Sequence, residues 1–321
     1  MSVANFAQAF AALRSEINRV LLGQEEVVDQ VLLAIFARGH VLIEGVPGLG
    51  KTLLVRTLGR TLGCEFKRIQ FTPDLMPSDV TGGNMFNQQQ NQFVFLPGPV
   101  FTQLLLADEI NRAPAKTQSS LLEAMQDRSV TVDGNTRLLP QPFFTIATQN
   151  PVESQGTYPL PEAQLDRFLM KINVDHPTRA VEKALLNNYV QGFDPSDLDS
   201  VGVRQICTHE QLLALQKITQ TVEVHDGILD YITDVVGRTR SHRSVYLGAS
   251  PRASIALLNT SRARAASEGR AYVNPDDIKR LAPAILRHRL ILHPDAEIEG
   301  VTPDDCVTAI LREATVPETV A

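Results

Sequence analysis

Residues Gly45 to Thr52 read Gly-Val-Pro-Gly-Leu-Gly-Lys-Thr, a complete G-x-x-x-x-G-K-[ST] phosphate loop. The pattern fixes a local shape as well as a ligand class, because it works only between a strand and a helix. His40-Val41-Leu42-Ile43-Glu44 before it is a short apolar run suited to a buried strand. After it, Leu54, Leu58 and Leu62 recur at helical spacing. Gly45, Gly48 and Gly50 let the backbone turn its N–H groups inward around phosphate oxygens, where side chains would obstruct them. The helix start adds free N–H groups and the positive end of its dipole. Lys51 can reach the β- and γ-phosphates, and the Thr52 hydroxyl can ligate Mg²⁺. The stretch Gly45, Val46, Pro47, Gly48, Leu49, Gly50, Lys51, Thr52 and Leu53 is therefore the expected binding loop of a nucleoside triphosphate.

Composition narrows the partners. The chain has 321 residues, 43% hydrophobic and 21% charged, enough for one large or two ordinary soluble domains. A net charge of −6 argues against nucleic acid as the principal partner, while leaving room for a local basic channel. Cys64, Cys207 and Cys306 are odd in number and form no C-x-x-C pair, so reduced thiols in a cytoplasmic protein, serving as buried filler, are expected. His288 and His293 have no Cys or H-E-x-x-H around them, and surface or cap roles are expected for both. The longest apolar run, Val31 to Ala37, is too short for a bilayer, so no direct membrane insertion is expected. Met1 to Phe10 lacks a positive leader and reads as the start of an amphipathic helix, not a signal peptide.

Periodicity predicts helices over 4–21 and 25–38, then strand 41–44 and helix 51–62. Further strands are expected near 65–70, 102–107, 143–147 and 169–174, with a helix after Pro114. Two hairpins interrupt this alternation. One spans about 84–96 and carries Gln88-Gln89-Gln90; the other spans about 129–139 around Asp133-Gly134. Strands alternating with helices predict an α/β fold, a parallel sheet flanked by helices. From Arg179 onward the period becomes almost purely helical, over 180–191, 209–220, 225–239, 251–268, 275–290 and 303–314. A domain change near 195–208 gives an α/β core over 1–200 and a smaller all-α domain over 201–321. Arg262, Arg264 and Arg270 are expected on a solvated helix face first, with contact to an acidic surface on a neighbour as the alternative.

Asp108-Glu109 closes an apolar strand. There Asp108 can hold Mg²⁺ directly or through water, and Glu109 can polarise an attacking water. Asn150 follows the 143–147 strand at the carboxyl edge of the sheet, where ligands bind in open α/β folds. Charge spacing alone leaves Arg167, beside Asp166, as an ordinary surface ion pair.

Gly23-Gln24, the phosphate loop, Leu105 to Ala113, Ala147-Thr148-Gln149-Asn150-Pro151 and Leu160 to Phe168 together resemble AAA+ ATPases, more narrowly the MoxR family. The resemblance covers nearly the whole chain. It implies a P-loop core with a helical lid and hydrolysis of ATP with Mg²⁺. It also implies a homo-oligomeric, hexameric ring that remodels a partner protein in the manner of a chaperone. The two hairpins fit the helix-2 insert and the pre-sensor-1 hairpin. Asn150 matches sensor 1, Arg167 the arginine finger inserted into a neighbouring subunit, and Arg252 sensor 2, with cis or trans action of Arg252 left open. Arg112 is placed either at the subunit interface or in a surface salt bridge. Gln24 falls in the segment that packs near adenine. A separate protein with a von Willebrand factor type A domain is the implied client or adaptor. Two other readings remain open: an ATP-dependent binding switch, and a DNA-associated AAA+ motor. The first hairpin has no Lys or Arg to contact a phosphate backbone, and no N-K-x-D motif marks a GTPase.

Overall fold

The computed structural model describes residues 2–46, 48–89, 91–150, 156–195, 197–199 and 201–317. The first part of the chain runs α1 (Val3–Asn18), α2 (Glu25–Phe36), β1 (Val41–Glu44), α3 (Lys51–Leu62), β2 (Phe66–Gln70), α4 (Pro77–Thr81), β3 (Gly82–Asn87) and β4 (Gln92–Pro97). It continues with β5 (Leu104–Asp108), α5 (Ala115–Asp127), β6 (Ser129–Val132), β7 (Asn135–Leu138), β8 (Phe144–Gln149), α6 (Glu162–Leu165) and β9 (Met170–Asn173). Then follow α7 (Arg179–Val190), α8 (His209–Thr219), α9 (Asp226–Thr239), β10 (Val245–Leu247), α10 (Pro251–Ser267), α11 (Pro275–Leu286), β11 (Ile291–Leu292), α12 (Pro294–Ile298) and α13 (Pro303–Glu313).

Five parallel strands form the central sheet in the order β2-β5-β8-β1-β9. Its inner strands β1, β5 and β8 are almost wholly buried, which is why they read as continuous apolar runs and not as alternating ones. Val41 and Ile43 enter the core shared with α1, α2, α3 and the C-terminal helices. Leu42, between them, enters the core beneath α5 on the other face. The register Glu44↔Gln149 and Gln70↔Asp108 brings the carboxyl ends of four strands to one edge. That edge is where an open α/β sheet presents ligand-binding groups.

The two hairpins project from this core. Gly82 (φ +84°) lets β3 leave α4 against β4, since a Cβ there would lie 2.2 Å from the Leu96 carbonyl oxygen. Asp133 (φ 49°) and Gly134 (φ 75°) form the tight turn between β6 and β7. The hairpins touch: Asn84 Nδ2 donates to Asp133 Oδ2 at 2.6 Å, and the Arg137 guanidinium stacks 3.9 Å from the centre of the Phe95 ring.

In the helical part, α10 packs its buried Ala253, Ala256, Ala263, Ala265 and Ala266 against α1, α2 and α11, small side chains permitting close approach. One buried core runs unbroken from α1 and α2 into α8, α9, α10 and α11. The division at residue 200 therefore remains a proposal about the chain's organisation. Two expectations need correction. His288 is buried, with Nε2 3.0 Å from the Phe168 carbonyl oxygen and its pKa pushed well below the usual value by that burial. Arg264 and Arg270 do not simply face solvent, because both turn onto the buried Asp277, at 3.3 and 2.7 Å. A period of 3.6 marks a helix face but does not reveal an acidic partner on the next helix.

Candidate active site

The loop after β1 is shaped by what surrounds it. Gly45 follows β1 where the chain after β9 passes close by, and a Cβ there would lie 2.7 Å from the Val174 carbonyl oxygen. Gly50, at φ +75°, is the N-cap of α3, a left-handed conformation costly for other residues. Gly48 is at φ +87° with open space where a Cβ would stand. Val46 is half-buried, and Pro47 lies outside the described residues. The Leu49 carbonyl accepts from Gln24 Nε2 at 2.7 Å, so the residue before α2 holds the loop directly. Lys51 and Thr52 begin α3, and Lys51 Nζ donates to the Gly45 carbonyl. Burial pushes the Lys51 pKa down, while Asp108, Glu109 and Glu44 oppose that shift.

Two adjoining recesses flank this loop. One, of about 570 Å³, is lined by Lys51, Thr52, Asp108, Glu109 and Asn150 among others. The second, of about 520 Å³, is lined by Leu21, Gln24, His176 and Val181. Gly48, Gly50, Leu53 and Tyr189 border both. A chamber lined by Lys51, Asp108 and Glu109 thus adjoins, across the loop, one to which Leu21, Val174 and Val181 add aliphatic surface, an arrangement suited to a triphosphate and its base.

Asp108 and Glu109 are held by neighbouring strands. Thr148 Oγ1 donates to Asp108 Oδ1 at 2.6 Å and accepts from the Glu109 backbone N–H at 2.9 Å. Arg68 grips the other Asp108 oxygen, Oδ2, through Nη2 at 2.8 Å and Nε at 3.2 Å. Glu109 sits at φ 55°, and its Oε2 accepts from Gln70 Nε2 at 2.7 Å and pairs with Arg112 at 2.9 Å. Arg112 therefore faces the site's own carboxylate. Asn150 is buried at the end of β8, beside the same chamber.

Arg167 and Arg252 lie elsewhere. They share a different recess, of about 320 Å³, with Arg38, Arg128 and Arg289. Arg167 Nη1 donates to the Leu122 carbonyl at 3.2 Å, and Arg252 stands 3.9 Å from Asp166. The chain thus brings together Gln24, the loop, Asp108, Glu109 and Asn150, and keeps Arg167 and Arg252 together but apart from them.

Comparisons with known proteins agree with this geometry. The profile of the ATPase family associated with various cellular activities (AAA) matches residues 40–170, and that of the AAA lid domain matches 237–310. A crystal structure from Cytophaga hutchinsonii, assigned as an ATPase, superposes with a TM-score of 0.90 at 39% identity, covering 98% of this chain and 97% of that one. An uncharacterised Bacillus subtilis protein, YeaC, is 49% identical over 94% of this chain and 92% of its own length. Chaperone MoxR1 of Mycobacterium tuberculosis is 43% identical over 94% of this chain and 81% of its own. The chain belongs to the MoxR family of AAA+ ATPases.

As a MoxR-family ATPase it binds and hydrolyses ATP, and the site shows which groups the sequence did not disclose. Arg68 and Gln70 alternate along β2, so both point to the face that Asp108 shares. The period-2 pattern Arg-x-Gln at a strand end was the available signal. Thr148, inside an apolar strand, gave none. Tyr189 comes from α7, which has no buried residue and borders both chambers of the nucleotide recess.

Proposed function

We propose that this MoxR-family ATPase works as a homo-oligomeric ring, hexameric as the family resemblance implies, in which Arg167 and Arg252 of one subunit complete the ATP site of the next. The observation that carries this reading is the separation just described. The residues suited to bind and cleave ATP surround one chamber, whereas the two arginines suited to stabilise the transition state line a different recess. Charge developing on the γ-phosphoryl oxygens needs a guanidinium, and a neighbouring subunit can lend one.

The chamber's donors fit Mg²⁺. Thr52 and Asp108 offer hard oxygens, and among the described residues no group of three or more His, Cys, Asp or Glu could hold a metal unaided. The ion would therefore arrive with phosphate oxygens and water completing its shell. Held there by Thr52 and Asp108, it would supply neutralisation of the charge on the β- and γ-phosphates. Glu109 then accepts the proton of the attacking water, with Gln70 and Arg112 fixing its carboxylate. Asn150 orients that water against the γ-phosphate.

The projecting hairpins are the surface suited to a partner. Phe86 and Phe93 are exposed on one of them, and the Asn84–Asp133 bond ties it to the other. Rotation of a subunit would carry both hairpins against a bound protein, which suits remodelling of a client or adaptor of the von Willebrand factor type A class. A relative carries the name chaperone. A cytoplasmic location suits the three free cysteines; among the described residues no helix is long and apolar enough to cross a membrane.

ATP turnover per subunit, measured against protein concentration, tests the reading. Turnover is expected to rise with assembly, and Arg167→Ala should lower it by about 10³-fold or more while ATP binding persists. Concentration-independent turnover, or an active Arg167→Ala protein, would contradict it. Glu109→Gln with ATP should retain the client in a pull-down; a DNA-stimulated rate that weakens with salt would instead favour a motor on nucleic acid.

A further inference from the structure

Asp166 joins parts of the chain that are distant in sequence. Its Oδ1 accepts from Arg289 Nε at 2.7 Å. Its Oδ2 accepts from the Ser250 hydroxyl at 2.9 Å and lies 3.9 Å from Arg252 Nη1. Arg289, with its side chain 3% exposed, spends its remaining donors on backbone carbonyls. They reach Asp166 at 3.3 Å, Phe168 at 2.7 Å, Leu169 at 3.2 Å and Ile285. His288 Nε2 meets the Phe168 carbonyl as well, at 3.0 Å.

The target of these bonds is narrow. All but the bond to the Ile285 carbonyl converge on residues 166, 168 and 169, which bracket Arg167. From the same carboxylate, Ser250 and Arg252 extend the connection to the first turn of α10, because Ser250 is that helix's N-cap and its hydroxyl also accepts from the Arg252 backbone N–H. A planar guanidinium with five donors in a fixed fork is suited to hold a loop at one position. Packing alone would place α10 on the core but would not require a charged hub beside Arg167.

We propose that Asp166 is a positioning residue: paired with Arg289, it locks the loop carrying Arg167 to the helix carrying Arg252, so that both arginines are presented to the neighbouring ATP site as one rigid pair. This deepens the ring reading above and rests on it. The start of α10 then moves with the Arg167 edge of its own core during the ATPase cycle and does not hinge away from it. Losing the strut keeps both arginine side chains but misplaces them.

The test uses the double variant Asp166→Asn with Arg289→Met, which removes the strut without stranding a buried charge. Alone, it should bind a fluorescent ATP analogue as the wild type does and turn ATP over about 10²-fold more slowly, the effect of roughly an ångström of misplacement. Mixed in equal amounts with Glu109→Gln chains, it should regain up to about a quarter of wild-type turnover. That is the fraction of neighbouring pairs, in a randomly mixed ring, that join a competent site to an intact arginine pair. A general structural defect would not be repaired by mixing. Arg167→Ala mixed with Glu109→Gln serves as the control. Recovery there but not with the double variant overturns the role of Asp166 and leaves the ring reading standing. Recovery in neither mixture overturns the lending of arginines itself. Wild-type turnover by the unmixed double variant also refutes the strut. Should the double variant not fold, Ser250→Val, which keeps the ion pair, should show a smaller loss that the same mixing repairs; full activity of Ser250→Val would count against the proposal.

Discussion

Replacing Thr148 by Val tests whether the two acidic residues depend on the strand beside them. The substitution keeps the shape and removes one hydroxyl, from a residue only 1% exposed. That hydroxyl makes two bonds, a 2.6 Å donation to the Asp108 carboxylate and a 2.9 Å acceptance from the Glu109 N–H. Stranding the N–H costs about 1–3 kcal/mol, and losing a bond to a carboxylate about 1.5–3 kcal/mol. The two share one group and partly overlap, so a loss of about 2–4 kcal/mol in unfolding free energy is expected from denaturant titration. Glu109 sits at φ 55°, a conformation that a residue with a side chain keeps only when it is held there. Its release should lower turnover by about 10–10². Affinity for an ATP analogue should hold, since no contact to the phosphate loop is touched. Thr148→Ser, which keeps the hydroxyl, should restore most of both losses. Thr148→Val with wild-type turnover and an unchanged unfolding midpoint would refute the reasoning.

Gly45→Ala would force a methyl to within 2.7 Å of the Val174 carbonyl. The overpacking should cost about 1–3 kcal/mol and weaken ATP-analogue binding, read by equilibrium titration. Asp277→Ala leaves Arg264 and Arg270 without the buried carboxylate they share and removes the Asn274 capping box. With the arginines partly solvated, a loss of about 2–3 kcal/mol is expected by the same denaturant assay. His40 is buried between the Thr145 N–H and the Met125 carbonyl, and burial lowers its pKa to about 4. The unfolded chain takes up this proton below about pH 6.5, whereas the folded chain resists it to about 4. Stability should therefore be fully present above that window and fall with decreasing pH inside it, by up to about 1.4 kcal/mol per pH unit from this group. His288, shifted in the same direction, adds to the slope. His40→Gln should flatten the pH dependence of the unfolding midpoint, and an unchanged slope would contradict the assignment.

What the sequence disclosed was mostly local. Gly45, Gly48 and Gly50 before a helical stretch, the acidic pair ending an apolar run, and Asp133-Gly134 each carry their geometry in neighbouring residues. Their strands and helices were found within a few residues of where they lie. Contacts set by strand order were not legible. Arg68 and Gln70 reach Asp108 and Glu109 only because β2 pairs with β5 in the register Gln70↔Asp108. Thr148 acts because β8 lies on the other side of β5. The same limit concealed Asp277 beneath two arginines and the burial of His288, for which a surface or cap role is expected from the sequence. Arg167 and Arg252 drew attention through family resemblance alone, and their common recess became visible only with the fold. The short pair β10–β11, three and two residues long, gave no periodic signal.

The most direct test of the account is an electron cryo-microscopy structure of the assembled protein with Mg²⁺ and a non-hydrolysable ATP analogue. The account predicts a closed ring in which the Arg167 guanidinium of each subunit lies within hydrogen-bond distance of the γ-phosphate held by the next subunit's Lys51. Arg252 should approach the same phosphate from the same side. An Arg167 that stays on the Leu122 carbonyl, far from any nucleotide, or one that folds back onto its own subunit's γ-phosphate, would contradict it.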